Sequence, residues 1–206
     1  DMDPWMANDG SMILWSPQNF STLRNPYWVM NEDYNEDNTD RIFSMVKLDY
    51  RFTPWLKAFA RYGSDFRSAQ VEGISAYGVT DPATGIQNSG SGYSAGNTRA
   101  AETNIDFLVT ASQTFGDLNI ALNVGGNSRH NTFFNTAGST GQLDLPGVYN
   151  LAYGSFNRPT SFQSESRIRS IYAFTNLGFK DYLFLDLTYR NDWSSNLSED
   201  VWSFAY

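Results

Sequence analysis

Three pairs of segments alternate apolar and polar residues on either side of a very short turn, and this pattern constrains the fold more than any other feature. In the first pair the apolar register carries Ile42, Val46, Leu48, Tyr50 and Phe52, and the opposite register carries Lys47, Asp49 and Arg51. Period-two alternation is typical of β-strands with one apolar face, and helix signals do not recur along the chain. The sequence therefore predicts an all-β fold, an antiparallel meander of about six strands.

The lengths of the turns agree with this alternation. Residues paired across a hairpin point to the same face of the sheet, so the number of turn residues must match the parity of the flanking apolar positions. Residues 53–55 supply a three-residue loop, and residues 116–117 supply a two-residue turn with glycine first, as a type II′ turn prefers. Residues 180–182 supply three, which pairs Phe179 with Leu183. All three hairpins close with their apolar registers aligned.

Long segments rich in Gly, Ser, Asn and Thr separate the hairpins. The predicted order is an extracellular loop over residues 1–40, a hairpin over 41–67, a loop over 68–102, a hairpin over 103–128, a loop over 129–166, a hairpin over 167–193 and the start of a further loop over 194–206. Loops of this length are uncommon in compact soluble domains. Short turns at one end and long loops at the other are typical of outer-membrane barrels.

This asymmetry favours part of a transmembrane β-barrel with short periplasmic turns and long extracellular loops. Aromatic residues gather at the short-turn end, where they would form a girdle at the membrane surface: Phe52, Trp55, Phe115, Phe179 and Tyr182. The predicted strands are fewer than the about 8 of the smallest barrels, so this hypothesis requires further strands outside the sequence. The alternative is a soluble, secreted carbohydrate-binding β-sandwich, whose strands also alternate.

Composition excludes several classes of function. Lys and Arg number 14 against 22 Asp and Glu, and the net charge of -8 argues against a nucleic-acid partner. The chain has no cysteine, so it contains no thiolate metal site and no cysteine nucleophile. No apolar run approaches the roughly 20 residues of a membrane-spanning helix, and the first residues lack the features of a signal peptide. We therefore expect the start of the chain to be internal to a longer protein.

Several strings, taken in order along the chain, carry a more specific signal. They are Asn-Pro-Tyr-Trp at 25–28, Tyr-Arg-Phe-Thr-Pro-Trp-Leu at 50–56, Gly-Gly-Asn at 125–127, Pro-Gly-Val-Tyr-Asn-Leu at 146–151, Leu-Gly-Phe-Lys-Asp-Tyr-Leu at 177–183 and Arg-Asn-Asp-Trp-Ser-Ser at 190–195. In this order and spacing they resemble the SusC/RagA family of TonB-dependent transporters of Gram-negative outer membranes. The resemblance spans most of the chain.

The resemblance implies a mid-barrel portion of a large barrel of the roughly 22-stranded type, with the plug domain absent from this sequence. It implies a segment of a TonB-energised importer of oligosaccharides or peptides that works with a SusD-like surface lipoprotein. The expected surroundings are outer-membrane lipid, and TonB would act through the missing plug region. We expect no enzymatic activity and no cofactor.

Two groups of residues are candidates for contact with a ligand or partner. Aromatic residues in the predicted loops could stack on a substrate or pack against a partner protein, although packing among themselves is the favoured alternative: Trp5, Trp15, Tyr27, Trp28, Tyr77, Tyr93 and Tyr153. Charged residues of the polar registers would face the lumen or the plug of a barrel: Lys47, Asp49, Arg51, Lys57, Arg61, Asp106, Asp186 and Arg190. The alternative for this second group is a solvent-facing sheet surface, which predicts the same polarity.

The remaining chemical motifs are weak. His130 is the only histidine and lies in a polar run, so a solvated side chain is expected rather than a catalytic or metal-binding one. Asp33, Asn35 and Asp37 match the start of a calcium loop, but Asn38 replaces its turn glycine and Ser44 its bidentate glutamate. We therefore predict a solvated loop there, and no catalytic or metal site in the chain.

Overall fold

The chain folds into one seven-stranded antiparallel sheet, and the predicted all-β meander is confirmed. In this computed structural model the described residues are 5–13, 24–78, 91–180, 182–198 and 203–205. The strand order in the sheet follows the order in the sequence from first to last. Each strand therefore pairs with its neighbour in the chain, as in a succession of hairpins.

The strands are β1 (Tyr34–Thr53), β2 (Leu56–Ser75), β3 (Gly92–Phe115), β4 (Leu118–Ser139), β5 (Thr160–Phe179), β6 (Leu183–Ser194) and β7 (Ser203–Ala205). One short helix, α1 (Pro26–Asn31), precedes them in the described residues. Pro26 suits its first turn because its missing N–H has no helical partner there. The Asn25 side chain caps the helix by accepting from the Tyr27 N–H at 3.0 Å. No helix in the described ranges is long and apolar enough to cross a membrane.

The short turns follow the parity argument. Gly116 has a φ of 60°, and no such positive φ occurs at Asp117, which fits a type II′ turn. Phe179 pairs directly with Leu183 across the third turn, as predicted. At the first turn β1 extends to Thr53, so two residues rather than three separate β1 from β2. Thr53 continues the extended backbone because a β-branched residue fits a strand.

The strands are longer than the predicted hairpins. Residues 68–75 and 92–102, placed in a loop by sequence, belong to β2 and β3. Likewise, β1 begins at Tyr34 and β4 continues to Ser139, so both strands include residues predicted as loop. These extensions are rich in Gly, Ser, Thr and Asn, so their apolar alternation is brief while their backbone groups still pair between strands. A seventh strand, β7, follows the six predicted ones.

The chain forms two compact units. Unit 1 comprises residues 1–40, 68–99 and 134–162. Its core is a small cluster in which Met12, Trp28 and Ala76 are buried, with Trp5 and Met6 packed against it. Trp28 is 1% exposed because α1 brings its ring against the cluster. Packing of large aromatic area therefore holds the loop segments of this unit together.

Unit 2 comprises residues 41–67, 100–133 and 163–206. It contains the three short turns and the alternating parts of the strands. Its apolar side chains remain uncovered: Val46 is 68% exposed, Val109 is 39% and Leu185 is 50%. Within the described residues one sheet accounts for all named strands, and no second sheet packs on these side chains. A β-sandwich would bury them, so the structure does not support that alternative.

Candidate functional site

The two faces of unit 2 differ sharply in chemistry, and the pairing of β5 with β6 shows how. On one face Leu177 pairs with Leu185 and Thr175 with Leu187. We call this the apolar face, and it continues through Val46, Leu48, Ile105, Val109, Leu122 and Val124 on the other strands. All six of these side chains are between 39% and 69% exposed. Exposed apolar area of this extent is unusual for a soluble protein and marks a surface that meets apolar material.

The opposite face of β5 and β6 carries paired polar side chains beside the aromatic Phe174 and Phe184, and we call it the polar face. Asn176 pairs with Asp186, and Tyr172 pairs with Arg190. The Asn176 amide donates to Asp186 at 2.7 Å. Arg190 donates to the Ser170 hydroxyl at 3.2 Å and to Asp192 at 2.9 Å. The sequence placed Asp186 and Arg190 on this register, and both lie in hydrogen-bonded pairs there.

Arg61 and Asp106 form an ion pair on the polar face in which the carboxylate is buried and the arginine is about half exposed. The Arg61 Nε atom lies 2.9 Å from Asp106 Oδ2, and the Asp106 side chain is 9% exposed. A carboxylate at this depth requires a charged partner, because burial without one is costly. β2 and β3 bring the two residues together from 45 positions apart in the sequence. Neither residue's own segment contained a signal for this partnership.

The other predicted lumen residues lie near the first turn. Lys47 contacts Asp49 at 2.8 Å and also lies over the Phe59 ring, 4.7 Å from its centroid. Arg51 and Lys57 are exposed. Exposed pairs of this kind contribute little stability, about 0–1 kcal/mol. Their effect is to make the polar face hydrated and charged near the short turns.

A polar cavity of about 420 Å³ lies on the same face and was not found from the sequence. Arg41 donates to Asp65 at 2.8 Å on one side of it. Arg67, Glu102 and Asn131 also line it, together with alanine, serine, threonine and phenylalanine side chains, and the Asn131 Oδ1 atom is buried without a partner in the described part of the chain. Such a cavity offers hydrogen bonds and charges of both signs. Its members come from the five strands β1 to β5 and lie far apart in the sequence, so only the alternation within each strand hinted at the cavity.

The loop aromatics divide between packing and exposure. Trp28 and Trp5 belong to the unit 1 cluster, where the Trp5 Nε1 atom donates to Glu32 at 3.1 Å. Packing, the favoured alternative, therefore accounts for these two. Tyr27 and Tyr153 are each 49% exposed, Tyr77 is partly buried, and Trp15 lies outside the described residues.

Tyr93 lines a cavity of about 830 Å³ in unit 1. Glu36, Glu72, Asn97 and Asn157 share the lining, so the cavity is acidic and rich in amides. Burial and a hydrogen bond to Glu72 raise the pKa of Tyr93. The Tyr34 hydroxyl hydrogen-bonds Glu36 and lowers the pKa of that carboxyl group. Amides, carboxylates and one aromatic ring are the groups that bind polar organic ligands.

The two weak motifs are placed as follows. His130 is partly exposed, and its Nε2 atom lies 2.7 Å from Glu165. The predicted acidic loop is strand from Tyr34 onward, since residues 34–53 form β1, and Asp33 accepts from Arg24 at 2.9 Å. In the described ranges no three His, Cys, Asp or Glu side chains gather to hold a metal ion.

Comparison with known proteins gives a fold likeness and no family. No protein-family model matches the sequence, and no curated protein matches it. The chain is similar in structure to the RagAB peptide transporter, with a TM-score of 0.81, 14% identity, and coverage of 96% of this chain and 22% of that one. Structures of the RagAB peptide importer in the "closed-closed" and "open-open" states give the same values. The likeness is one of fold, and this chain spans 22% of the length of the solved chains it resembles.

Proposed function

We propose that this chain is a segment of an outer-membrane nutrient importer, with its apolar face on lipid and its polar face toward an enclosed, hydrated interior. The observation that carries the proposal is the uncovered apolar face of unit 2, together with the short turns that bound it. A transmembrane barrel is a closed sheet with apolar residues outward and polar residues inward. The fold likeness to a transporter over 96% of the chain supports the same architecture.

The chemistry of the two faces fits a barrel wall. In a bilayer every backbone polar group needs an internal partner, and a sheet provides these between neighbouring strands. The exposed side chains of the apolar face then contact hydrocarbon at no cost, whereas in water they would favour association. The ion pair of Arg61 and Asp106 and the pair of Asn176 and Asp186 would face the hydrated interior. Charges inside a barrel are tolerated because water or a plug satisfies them.

Import requires only that the substrate pass through the protein, so the proposal assigns no covalent chemistry to this segment. We propose an oligosaccharide or a peptide as the substrate class, and the solved structures of similar fold are named as peptide transporters and importers. Energisation by TonB through a plug, and a SusD-like lipoprotein at the outer surface, belong to the same proposal. Their support is the resemblance of the strings at 25–28, 50–56 and 190–195.

The test is to measure which face meets lipid in the full protein that contains this chain. A single cysteine at Leu187 or at Thr188, labelled with an environment-sensitive fluorophore, reports on adjacent positions of β6 that point to opposite faces. After reconstitution into bilayers with brominated lipids, the proposal expects quenching at position 187 and little at position 188. Equal quenching at the two positions, or none at either, would contradict it. This chain has no native cysteine to complicate the labelling.

A further inference from the structure

The apolar face of unit 2 changes character ten residues from the third turn. Going up β5 from Phe179 at the turn, the face carries Leu177, Thr175, Ala173 and Ile171, and the next side chain is Arg169. Arg169 is exposed and pairs directly with Trp193 of β6. Trp193 lies ten residues from Leu183, where β6 begins. On β6 the same face carries Asn191 beside Ile171, so an arginine and a tryptophan lie side by side just beyond its last apolar side chains, Ile171 and Tyr189.

This spacing matches the thickness of a membrane. Ten strand residues extend about 33 Å at about 3.3 Å per residue. With a strand tilt of about 40°, they rise about 25 Å, which is the height of the apolar band of outer-membrane barrels. Aromatic girdles flank such a band on both sides. Phe179 and Tyr182 lie at one end of the interval, and Trp193 lies at the other.

Positive charge collects at the end marked by Trp193. Arg167 follows Arg169 on the same face of β5, and its guanidinium lies 3.7 Å from Glu165. Glu165 is closer to His130, at 2.7 Å. In the described part of the chain no carboxylate forms an ion pair with Arg169. Of the two arginines only Arg167 contacts an acidic side chain, Glu165, and the nearer partner of that carboxylate is His130, so the two guanidinium groups carry an excess of positive charge over the one carboxylate.

We propose that Arg167 and Arg169, beside Trp193, bind the phosphate of an anionic lipid headgroup at the membrane surface opposite the short turns. The inference rests on the proposed function, because it needs the apolar face to contact lipid. A guanidinium presents paired N–H donors that fit a phosphate. A tryptophan at the interface is amphipathic and would pack on the first part of the acyl chains. Both requirements of a phospholipid headgroup are met within one cross-strand pair.

The test uses native mass spectrometry of the full protein in detergent with added lipid, either phosphatidic acid or phosphatidylcholine. We compare the parent protein, the double variant R167Q/R169Q and the control variant R67Q. The control removes the same kind of charge from the polar face of β2. The parent is expected to retain phosphatidic acid over phosphatidylcholine. The double variant should lose retention of phosphatidic acid by about 30-fold, the effect of removing two cations near an anionic surface, and R67Q should match the parent.

Either of two results would overturn the inference: unchanged retention in the double variant, or an equal loss in R67Q. Quenching by brominated lipid at position 187 is measured on the same double variant. If that quenching persists while lipid retention does not change, only the headgroup site is refuted. If the quenching is absent from the parent itself, the proposed function fails first. A double variant that does not assemble is replaced by R169Q alone, whose expected loss is about fivefold.

Discussion

At the scale of single residues, Gly125 has the closest neighbours of the described glycines in unit 2. A Cβ atom at this position would lie 2.6 Å from the Phe107 carbonyl oxygen and 2.7 Å from the Tyr172 ring. Tyr172 therefore lies over the glycine, and it shares the polar face with Arg190, its partner across β5 and β6. A side chain here would have to displace both a ring and a strand backbone.

We expect Gly125→Ala to destabilise the assembled protein by about 1–3 kcal/mol, as overpacking does. Gly63→Ala is the matched control, since the nearest atom to its Cβ would be the Ser44 oxygen at 3.9 Å. The control should be neutral or more stable by about 0.5–1 kcal/mol, because glycine weakens a strand interior. Urea unfolding in detergent micelles, followed by tryptophan fluorescence, measures both. Equal stability of the two variants would count against the packing around Gly125.

For single residues, the sequence predicted which face of the sheet a side chain lies on, but not its partner or its burial. Alternation placed Asp106 and Arg61 on the polar register, and the structure pairs them. Alternation could not show that the Asp106 side chain is the buried partner, because burial depends on an arginine that β2 brings from far away in the sequence. The polar cavity lined by Arg41, Asp65 and Asn131 was missed for the same reason. His130 was expected in solvent, and its contact with Glu165 arises only when β4 and β5 come together.

At the scale of strands and hairpins, depth along β6 should decide how a charge is tolerated. Leu183 lies at the turn, and Leu187 lies four residues further, near the middle of the ten-residue interval. An arginine on the lipid face of a barrel costs about 2–4 kcal/mol at the midplane and about 0–1 near the interfaces.

Leu187→Arg should therefore lower the free energy of unfolding in lipid vesicles by about 2–4 kcal/mol, and Leu183→Arg by about 1 kcal/mol or less. Thr188→Arg, on the polar face, serves as the control and should fold as the parent does. Folding is followed by the shift in mobility between boiled and unboiled samples on gels. A Leu187→Arg protein that folds as well as Thr188→Arg would remove the case for a lipid-facing β6.

The hairpins were the most predictable elements because turn length and alternation constrain each other. A two-residue turn with glycine first, followed by an apolar residue of the correct parity, leaves one register, and Gly116 adopts the required φ. The ends of the strands could not be predicted. Residues 68–75 and 92–99 alternate only briefly, as at Ala69 and Val71, and pairing with neighbouring strands keeps them extended.

At the scale of the whole molecule, the apolar face decides which solvent the protein needs. Val46, Leu48 and Phe52, all on β1, are each more than half exposed in this chain. Six of the seven strands were predicted from the sequence. The unit 1 cluster around Trp28 was not, because it joins residues from three separate segments. The alternation of apolar and polar residues did predict which face of the sheet is apolar and which is polar.

We expect the full protein to sediment with membranes after a carbonate wash and to enter solution only with detergent. We expect this behaviour because no described element covers the apolar face. Fractionation followed by immunoblotting measures this. A monomer that stays soluble and folded in buffer without detergent would instead favour the carbohydrate-binding sandwich.

The sequential strand order limits how the number of strands in a sheet of this kind can change. Each strand finds its partner in the next stretch of chain, so the loop to be closed at each step is short and pairing can advance one hairpin at a time. In a closed barrel, duplicating or deleting a whole hairpin changes the number of strands by two. The direction of the other strands and the side to which their side chains point stay the same. A single inserted strand would instead reverse the direction of every later strand, so that the short turns and the long loops after it would exchange sides of the membrane.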